Sequence, residues 1–189
     1  MASDMVNAPG HAGVGAASVW VRRFVHRIPP SGAVLDVAAG SGRHARLCRD
    51  RGHPVTAIDR DLSGLADLAG AADLEFVRAD LEDGSPWPLG ARRFAGVIVT
   101  NYLHRPLLPA LVAAVAPDGC LIYETFAAGN ERFGRPSNPD FLLRPGELLD
   151  AVRGKLFVLA YENLEIAEPR PAIVQRIAAI NTPSPFAAR

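Results

Sequence analysis

Three aspartates and a pair of glycines hold the residue types best suited to chemistry in this chain. Gly40-Ser41-Gly42-Arg43-His44-Ala45 follows the apolar run Val34-Leu35-Asp36-Val37 and opens a segment rich in Ala, Leu and Arg. Glycine lets a backbone turn tightly and approach a ligand that a Cβ would repel. The free N–H groups at the start of the next helix then offer a site for phosphate or carboxylate. Asp36 precedes the first glycine, Asp59 ends the next apolar run, and Asp80 follows the one after it. A second constellation, Asn101-Tyr102-Leu103-His104-Arg105-Pro106, follows the apolar segment 94–100. There His104 is the candidate general base, because an unperturbed imidazole titrates near neutrality. Tyr102 is placed to close over a reacting group or to donate a hydrogen bond. Each has a plainer reading beside it: His104 as the start of a helix, Tyr102 as a packed aromatic.

The elements that must position these residues alternate regularly. Ser18 caps a helix through His26 with Trp20, Val21, Phe24 and Val25 on one stripe, and Pro29-Pro30-Ser31-Gly32 ends it. Strands are predicted at 33–38, 54–59, 74–79, 94–100 and 119–126. Helices are predicted at 43–51, 62–71 and 106–116, with a Pro/Trp-rich loop at 83–90. Continuous apolar strands between amphipathic helices imply a parallel sheet covered on both faces. With right-handed crossovers that is a doubly wound α/β fold, whose ligands sit at the carboxyl ends of the strands. Residues 127–143 form a long polar loop, a candidate lid in which Phe133 and Phe141 cover an acceptor or anchor the loop. A short helix at 145–152 and strands at 155–161 and 172–180 complete the pattern as an antiparallel hairpin at the sheet edge. Residues 1–17 read as a flexible arm and 18–189 as one domain.

Composition removes several classes of function. Hydrophobic residues make up 49% and charged residues 21%, with a net charge of zero, so a nucleic-acid coat or an anionic-membrane binder is not expected. Arg43, Arg46, Arg49 and Arg51 read as a solvated helix face, having no interleaved aromatics. Cys48 and Cys120 are the only cysteines, which argues for reduced thiols in a cytoplasmic protein and against a disulfide framework or thiolate metal site. Neither a secretory signal nor an apolar run of bilayer-spanning length is read.

Gly40-Ser-Gly42-Arg-His-Ala45 matches the G-x-G-x-x-A form of the dinucleotide fingerprint, so NAD is a rival ligand. Asp36, where a pyrophosphate would be repelled, and the third carboxylate at Asp80 favour instead a cationic ligand with an amino group, a ribose diol and an adenine. Asp36 attracts the ammonium, Asp59 accepts from the diol, Asp80 accepts from the exocyclic amine, and Leu81 covers the purine. Alternatively Asp36 caps the loop backbone, Asp59 caps a helix together with Asp61, and Asp80 makes a turn.

With D-x-A-x-G-x-G at 36–42, the acidic end of the second strand at Asp59 and A-D-L at 79–81, residues 33–180 resemble the class I S-adenosylmethionine (SAM)-dependent methyltransferases. The resemblance implies a Rossmann-like methyltransferase fold, a mostly parallel seven-stranded sheet ending in an antiparallel hairpin. The short length and the G-S-G-R-H-A segment are similar to the small tellurite-resistance-like and thiopurine-like members. Ala38 stands where that family usually has its first glycine. The resemblance implies that Asp36, Ala38, Gly40 and Gly42 line the methionyl part of the cofactor. It places Asp59 on the ribose, Arg60 beside the adenine, Asp80 and Leu81 on the adenine edge and face, and Asn101 in the cofactor site.

The same resemblance places catalytic and acceptor contacts after the fourth strand, at Tyr102 and His104. The Asn/Asp-Pro-Pro-Tyr motif of enzymes that methylate amino groups on bases or glutamine is not found. The expected acceptor is therefore a small molecule, with Arg105 and Arg132 as candidates to hold an anionic one and Glu124 to orient it. No nucleic-acid or membrane partner is expected, and the chain reads as a monomer or homodimer. Two other functions stay open at this stage: an NAD(P)-dependent oxidoreductase and a non-catalytic SAM-binding protein.

Overall fold

A computed structural model describes residues 14–182 of the chain. Positions 1–13 of the expected arm and 183–189 of the expected domain lie outside the described residues.

Seven strands form one sheet: β1 (Val34–Val37), β2 (Val55–Asp59), β3 (Leu74–Arg78), β4 (Phe94–Thr100), β5 (Val115–Phe126), β6 (Phe157–Ile166) and β7 (Ala172–Ile180). Their order is β3-β2-β1-β4-β5-β7-β6. The first five pair in parallel, whereas β7 inserts antiparallel between β5 and β6. This is the doubly wound, mostly parallel sheet with a C-terminal antiparallel hairpin expected from the sequence. The chain reverses direction across the sheet between β1 and β4, which makes that junction the place for a ligand.

Period-two alternation sorts side chains onto two cores. Leu35, Val37, Val97, Val99, Leu121 and Tyr123 face α3 (Leu108–Ala113) and α4 (Glu147–Val152). Val34, Ala57, Ile98, Cys120 and Ile122 face α1 (Val19–Phe24) and α2 (Arg43–Arg49). Each fully buried Leu, Ile or Val among them contributes roughly 1.5–3 kcal/mol. The Ser18 hydroxyl caps α1, accepting from the N–H groups of Trp20 and Val21. Trp20 is 1% exposed and donates its indole N–H to the Ile177 carbonyl at 3.1 Å, which makes it a core residue.

Four elements differ from the sequence expectation. Residues 63–68 form a 3-10 helix instead of an α-helix over 62–71. Gly64 packs so close to the glycine loop that a Cβ there would lie 2.5 Å from the Gly40 carbonyl oxygen, and this contact replaces a full helical turn. The helix expected at 106–116 is a 3-10 turn at 105–107 followed by the short α3. β5 begins at Val115, not at 119, because Ala116-Pro-Asp-Gly119 is absorbed as an irregularity in its pairing with β4. β6 runs on to Ile166 although Glu162, Asn163, Leu164 and Glu165 are polar or exposed. As the edge strand it needs only β7 beside it to satisfy its backbone, so no apolar pattern marks its second half.

Candidate functional site

The carboxyl ends of β1 to β5 converge on a cleft of about 540 Å³. Each strand delivers residues at or just past its carboxyl end. Ala38 comes from β1, Asp59 and Arg60 from β2, Asp80, Leu81 and Glu82 from β3, Asn101 and Tyr102 from β4, and Thr125 and Phe126 from β5. Pro136 and Phe141 of the 127–143 loop close the outer side. The volume falls in the range of small-molecule and cofactor sites.

The glycine loop is fixed from below. Ala39 N–H donates to the Ile58 carbonyl and Gly42 N–H to the Ala39 carbonyl. Gly40 and Gly42 both have positive φ, and a Cβ at Gly42 would lie 2.0 Å from Leu65 Cδ2. A Cβ at Gly40 would meet nothing nearer than 4.0 Å, so that backbone faces open space. Ala38 also lies in the left-handed region, at φ +52°, which an L-residue occupies at a cost of roughly 1–2 kcal/mol. The strain explains why glycine suits this position and why alanine is the departure from the motif.

Asp59 is held as a bidentate acceptor before any ligand arrives. Its Oδ2 accepts from Gly40 N–H at 2.8 Å and its Oδ1 from Asp61 N–H at 2.9 Å. Asp80 Oδ1 accepts from Glu82 N–H at 2.9 Å, the turn that the Asp-Leu-Glu-Asp-Gly run allowed. Tyr102 places its hydroxyl where solvent does not reach it, beside the Glu82 carboxylate. Burial first, and then the nearby Glu82, Asp80 and Asp59 carboxylates, push its ionisation well above the ordinary phenol range. It is therefore a donor, not a base. Tyr123 stands behind it, donating to the Tyr102 carbonyl at 2.8 Å.

Other expected site residues stand elsewhere. Asp36 is 2% exposed and does not line the cleft; its Oδ2 accepts from Ala45 N–H at 3.0 Å. Alternation in β1 turns it toward the first turn of α2, so it caps that helix from beneath. Burial raises its pKa to about 8, against the lowering effect of the Ala45 bond and Arg43. Gly40 and Gly42 support the loop without being among the lining residues. His104 is half-buried and outside the lining, in extended conformation, with its carbonyl accepting from Leu107 N–H. The imidazole makes no capping bond.

Arg105 is fully engaged, donating to the Glu147 carboxylate and to the carbonyls of Asp140 and Leu142. Arg132 pairs with Glu165 at 2.6 Å. Glu124 accepts from the Ser18 hydroxyl at 2.7 Å and from Arg176 at 3.1 Å, so it ties α1 to the sheet. Sequence reasoning missed His44 in this network. It is 2% exposed, its Nε2 accepts from Ser18 N–H at 3.1 Å, and its Nδ1 lies 3.4 Å from the Thr100 hydroxyl. Burial, with a smaller effect of Arg43, lowers its pKa to about 3. Its position in the glycine motif was visible, but its partner Ser18 lies 26 residues away.

The 127–143 loop is closed at its base by an Ala127–Leu143 bridge and by Leu143 N–H donating to the Phe126 carbonyl. Asn130, 2% exposed, bonds both the Pro136 carbonyl and Ile173 N–H, pinning the loop to β7. Among the described residues no cluster of His, Cys, Asp and Glu is arranged to hold a metal ion. Nor is any helix there long and apolar enough to cross a membrane.

No protein-family model and no curated protein sequence matches the chain. Solved structures do. The chain is similar to TehB from Haemophilus influenzae, with a TM-score of 0.71 and 16% identity over 90% of this chain and 64% of that one. It therefore spans a little under two thirds of the TehB chain. The 1,6-didemethyltoxoflavin-N1-methyltransferase of Burkholderia thailandensis, solved with 1,6-didemethyltoxoflavin and S-adenosylhomocysteine, gives 0.62 and 20% over 84% and 74%. The glycopeptide N-methyltransferase MtfA, complexed with S-adenosylhomocysteine, gives 0.57 and 22% over 86% and 88%. At these identities the likeness establishes the fold, a Rossmann-like methyltransferase architecture.

Proposed function

We propose that the chain is a SAM-dependent methyltransferase acting on a small molecule, of the small tellurite-resistance-like kind. The observation that carries the reading is the pair of carboxylates, Asp59 and Asp80, held by backbone N–H groups on one cleft at the point where the strand order reverses. The S-adenosylhomocysteine bound in two of the neighbouring structures, and the 1,6-didemethyltoxoflavin bound in one of them, support it.

The residues present fit such a cofactor. The Gly40 backbone faces open space, and the Asp59 and Asp80 carboxylates and the Tyr102 ring line the same cleft. When bound, SAM supplies an electrophilic methyl carbon on a sulfonium sulfur for in-line displacement. Asp59, already aimed by Gly40 and Asp61, has lone pairs left to accept from a ribose diol. Asp80 accepts from the adenine amine, Leu81 covers the ring, and Arg60 flanks it. Asn101 and Ala38 border the methionyl portion, while Asp36 fixes the α2 turn beneath the glycine loop. Tyr102 donates toward the reacting centre, and the loop carrying Phe141 excludes water.

Thermal shifts with SAM, S-adenosylhomocysteine and NADH test the cofactor class, NADH stabilisation pointing to the oxidoreductase alternative. Calorimetry on Asp59→Ala should show at least a ten-fold loss of S-adenosylhomocysteine affinity. Unchanged affinity overturns the ribose role. If the chain binds SAM but methylates nothing in a labelled-SAM acceptor screen, it is a SAM-binding protein and not an enzyme.

A further inference from the structure

The arginines expected to receive an anionic acceptor are occupied, yet two others on the same rim are free. Arg105 is committed to Glu147 and two carbonyls, and Arg132 to Glu165. Glu147 and Glu165 are used in those pairs and Glu131 in accepting from Gly129 N–H, while the remaining carboxylates of this region, Asp140 and Glu168, stand outside the lining described next. Among the described residues, Arg135 and Arg170 form no hydrogen bond or ion pair. Arg170 has only its guanidinium over the Phe126 ring, 5.5 Å from the centroid.

Both border a shallow, solvent-open cavity of about 510 Å³ on the outer surface, with no acidic side chain in its lining. That cavity shares Pro136 and Phe141 with the main cleft, and Phe126 lines the main cleft from the other side. Pro136 and Phe141 thus stand between an inner cleft that carries Asp59, Asp80 and Glu82 and an outer surface that carries Arg135 and Arg170.

From this layout, and resting on the methyl-transfer reading, we infer that the acceptor is an anionic small molecule with a planar apolar body. Its carboxylate or phosphate is held by Arg135 and Arg170, and its body lies against Phe126 and Phe141. A guanidinium matches either oxyanion through two parallel N–H donors. The carboxylates at the inner end repel the same anion, so the ligand enters in one orientation, with its nucleophilic end inward. The fold provides two readers of that charge, one from the loop and one from the β6–β7 turn, and substrate choice is set there, away from the cofactor.

The test uses the full chain saturated with S-adenosylhomocysteine, titrated calorimetrically with 4-hydroxybenzoate, phenyl phosphate and 4-hydroxybenzamide. At least one of the two anions should bind ten-fold or more tightly than the neutral amide, and the stronger anion identifies carboxylate or phosphate as the group read. In Arg135→Gln/Arg170→Gln that preference should vanish while S-adenosylhomocysteine affinity and the melting temperature stay unchanged. Equal binding of anion and amide, survival of the preference in the double variant, or no binding of either anion overturns the inference. Failure of the unaltered chain to bind S-adenosylhomocysteine overturns the methyl-transfer reading instead, so the two failures are distinct.

Discussion

Replacing Asp36 with asparagine isolates the energetic consequence of burying a carboxyl under the glycine loop. Asp36 ionises at about 8 in the folded chain against an ordinary value of 3.8. The stability it contributes is therefore fully present below 3.8 and is lost as pH rises toward 8. His44, on the neighbouring turn, ionises at about 3 against 6.5. Its contribution is present above 6.5 and is lost as pH falls toward 3. Between 3.8 and 6.5 the two slopes oppose each other, so neither is visible. From 6.5 to 8 the Asp36 slope is no longer offset by that of His44, and about 1.5 pH units at about 1.36 kcal/mol each amount to roughly 2 kcal/mol lost.

In Asp36→Asn the new amide oxygen still accepts from Ala45 N–H, and the side chain has no charge to desolvate. Urea unfolding at pH 6.5 and 8.0, extrapolated linearly, should show the native chain losing roughly 2 kcal/mol over the interval while Asp36→Asn stays level. For a chain of this length the melting-temperature gap between the variant and the native chain should widen by roughly 4–8 °C between pH 6.5 and 8.0. Parallel pH profiles for the two proteins would refute the argument, since they mean that Asp36 is ionised throughout the range.

Two further substitutions probe the loops around the cleft. Ala38→Gly relieves a left-handed L-residue at a cost in unfolded-chain entropy, so equilibrium unfolding should show a gain of about 0.5–1 kcal/mol; a loss means that the methyl packs usefully. Asn130→Ala leaves Ile173 N–H and the Pro136 carbonyl without their partner, so it should cost about 1–3 kcal/mol. Limited proteolysis should then cut between 131 and 140 faster than in the native chain, and an unchanged cleavage rate refutes the pinning role.

The strands were legible because each central one is buried on both faces and therefore continuously apolar, as Phe94–Thr100 shows. The glycine loop was legible because its backbone geometry demands particular residues at Gly40 and Gly42. The ends of elements were less so. The 63–68 turn depends on Gly64 meeting the Gly40 carbonyl, and the second half of β6 depends on the partner strand β7.

Among candidate site residues, those lying at a strand end or one or two positions past it, Ala38, Asp59, Asp80 and Asn101, do line the cleft. Those whose role hangs on side-chain direction do not follow from position. Asp36 is turned beneath α2, and His104 is not among the residues that line the cleft. Arg105, read as free, is tied to Glu147, 42 residues further on.

By itself, then, the sequence determined the alternation of elements, the glycine turn and which strand ends carry carboxylates, because these depend on local backbone preference and on burial pattern. Only the tertiary structure decided which charges are free to meet a ligand. Arg132 and Arg135 are three residues apart in one polar loop, and nothing local distinguishes them. Glu165 comes across from β6 to neutralise the first and leaves the second facing a cavity. A charge is available or spent according to what the fold brings within about 3 Å of it, and that distance is set by contacts far apart in the chain.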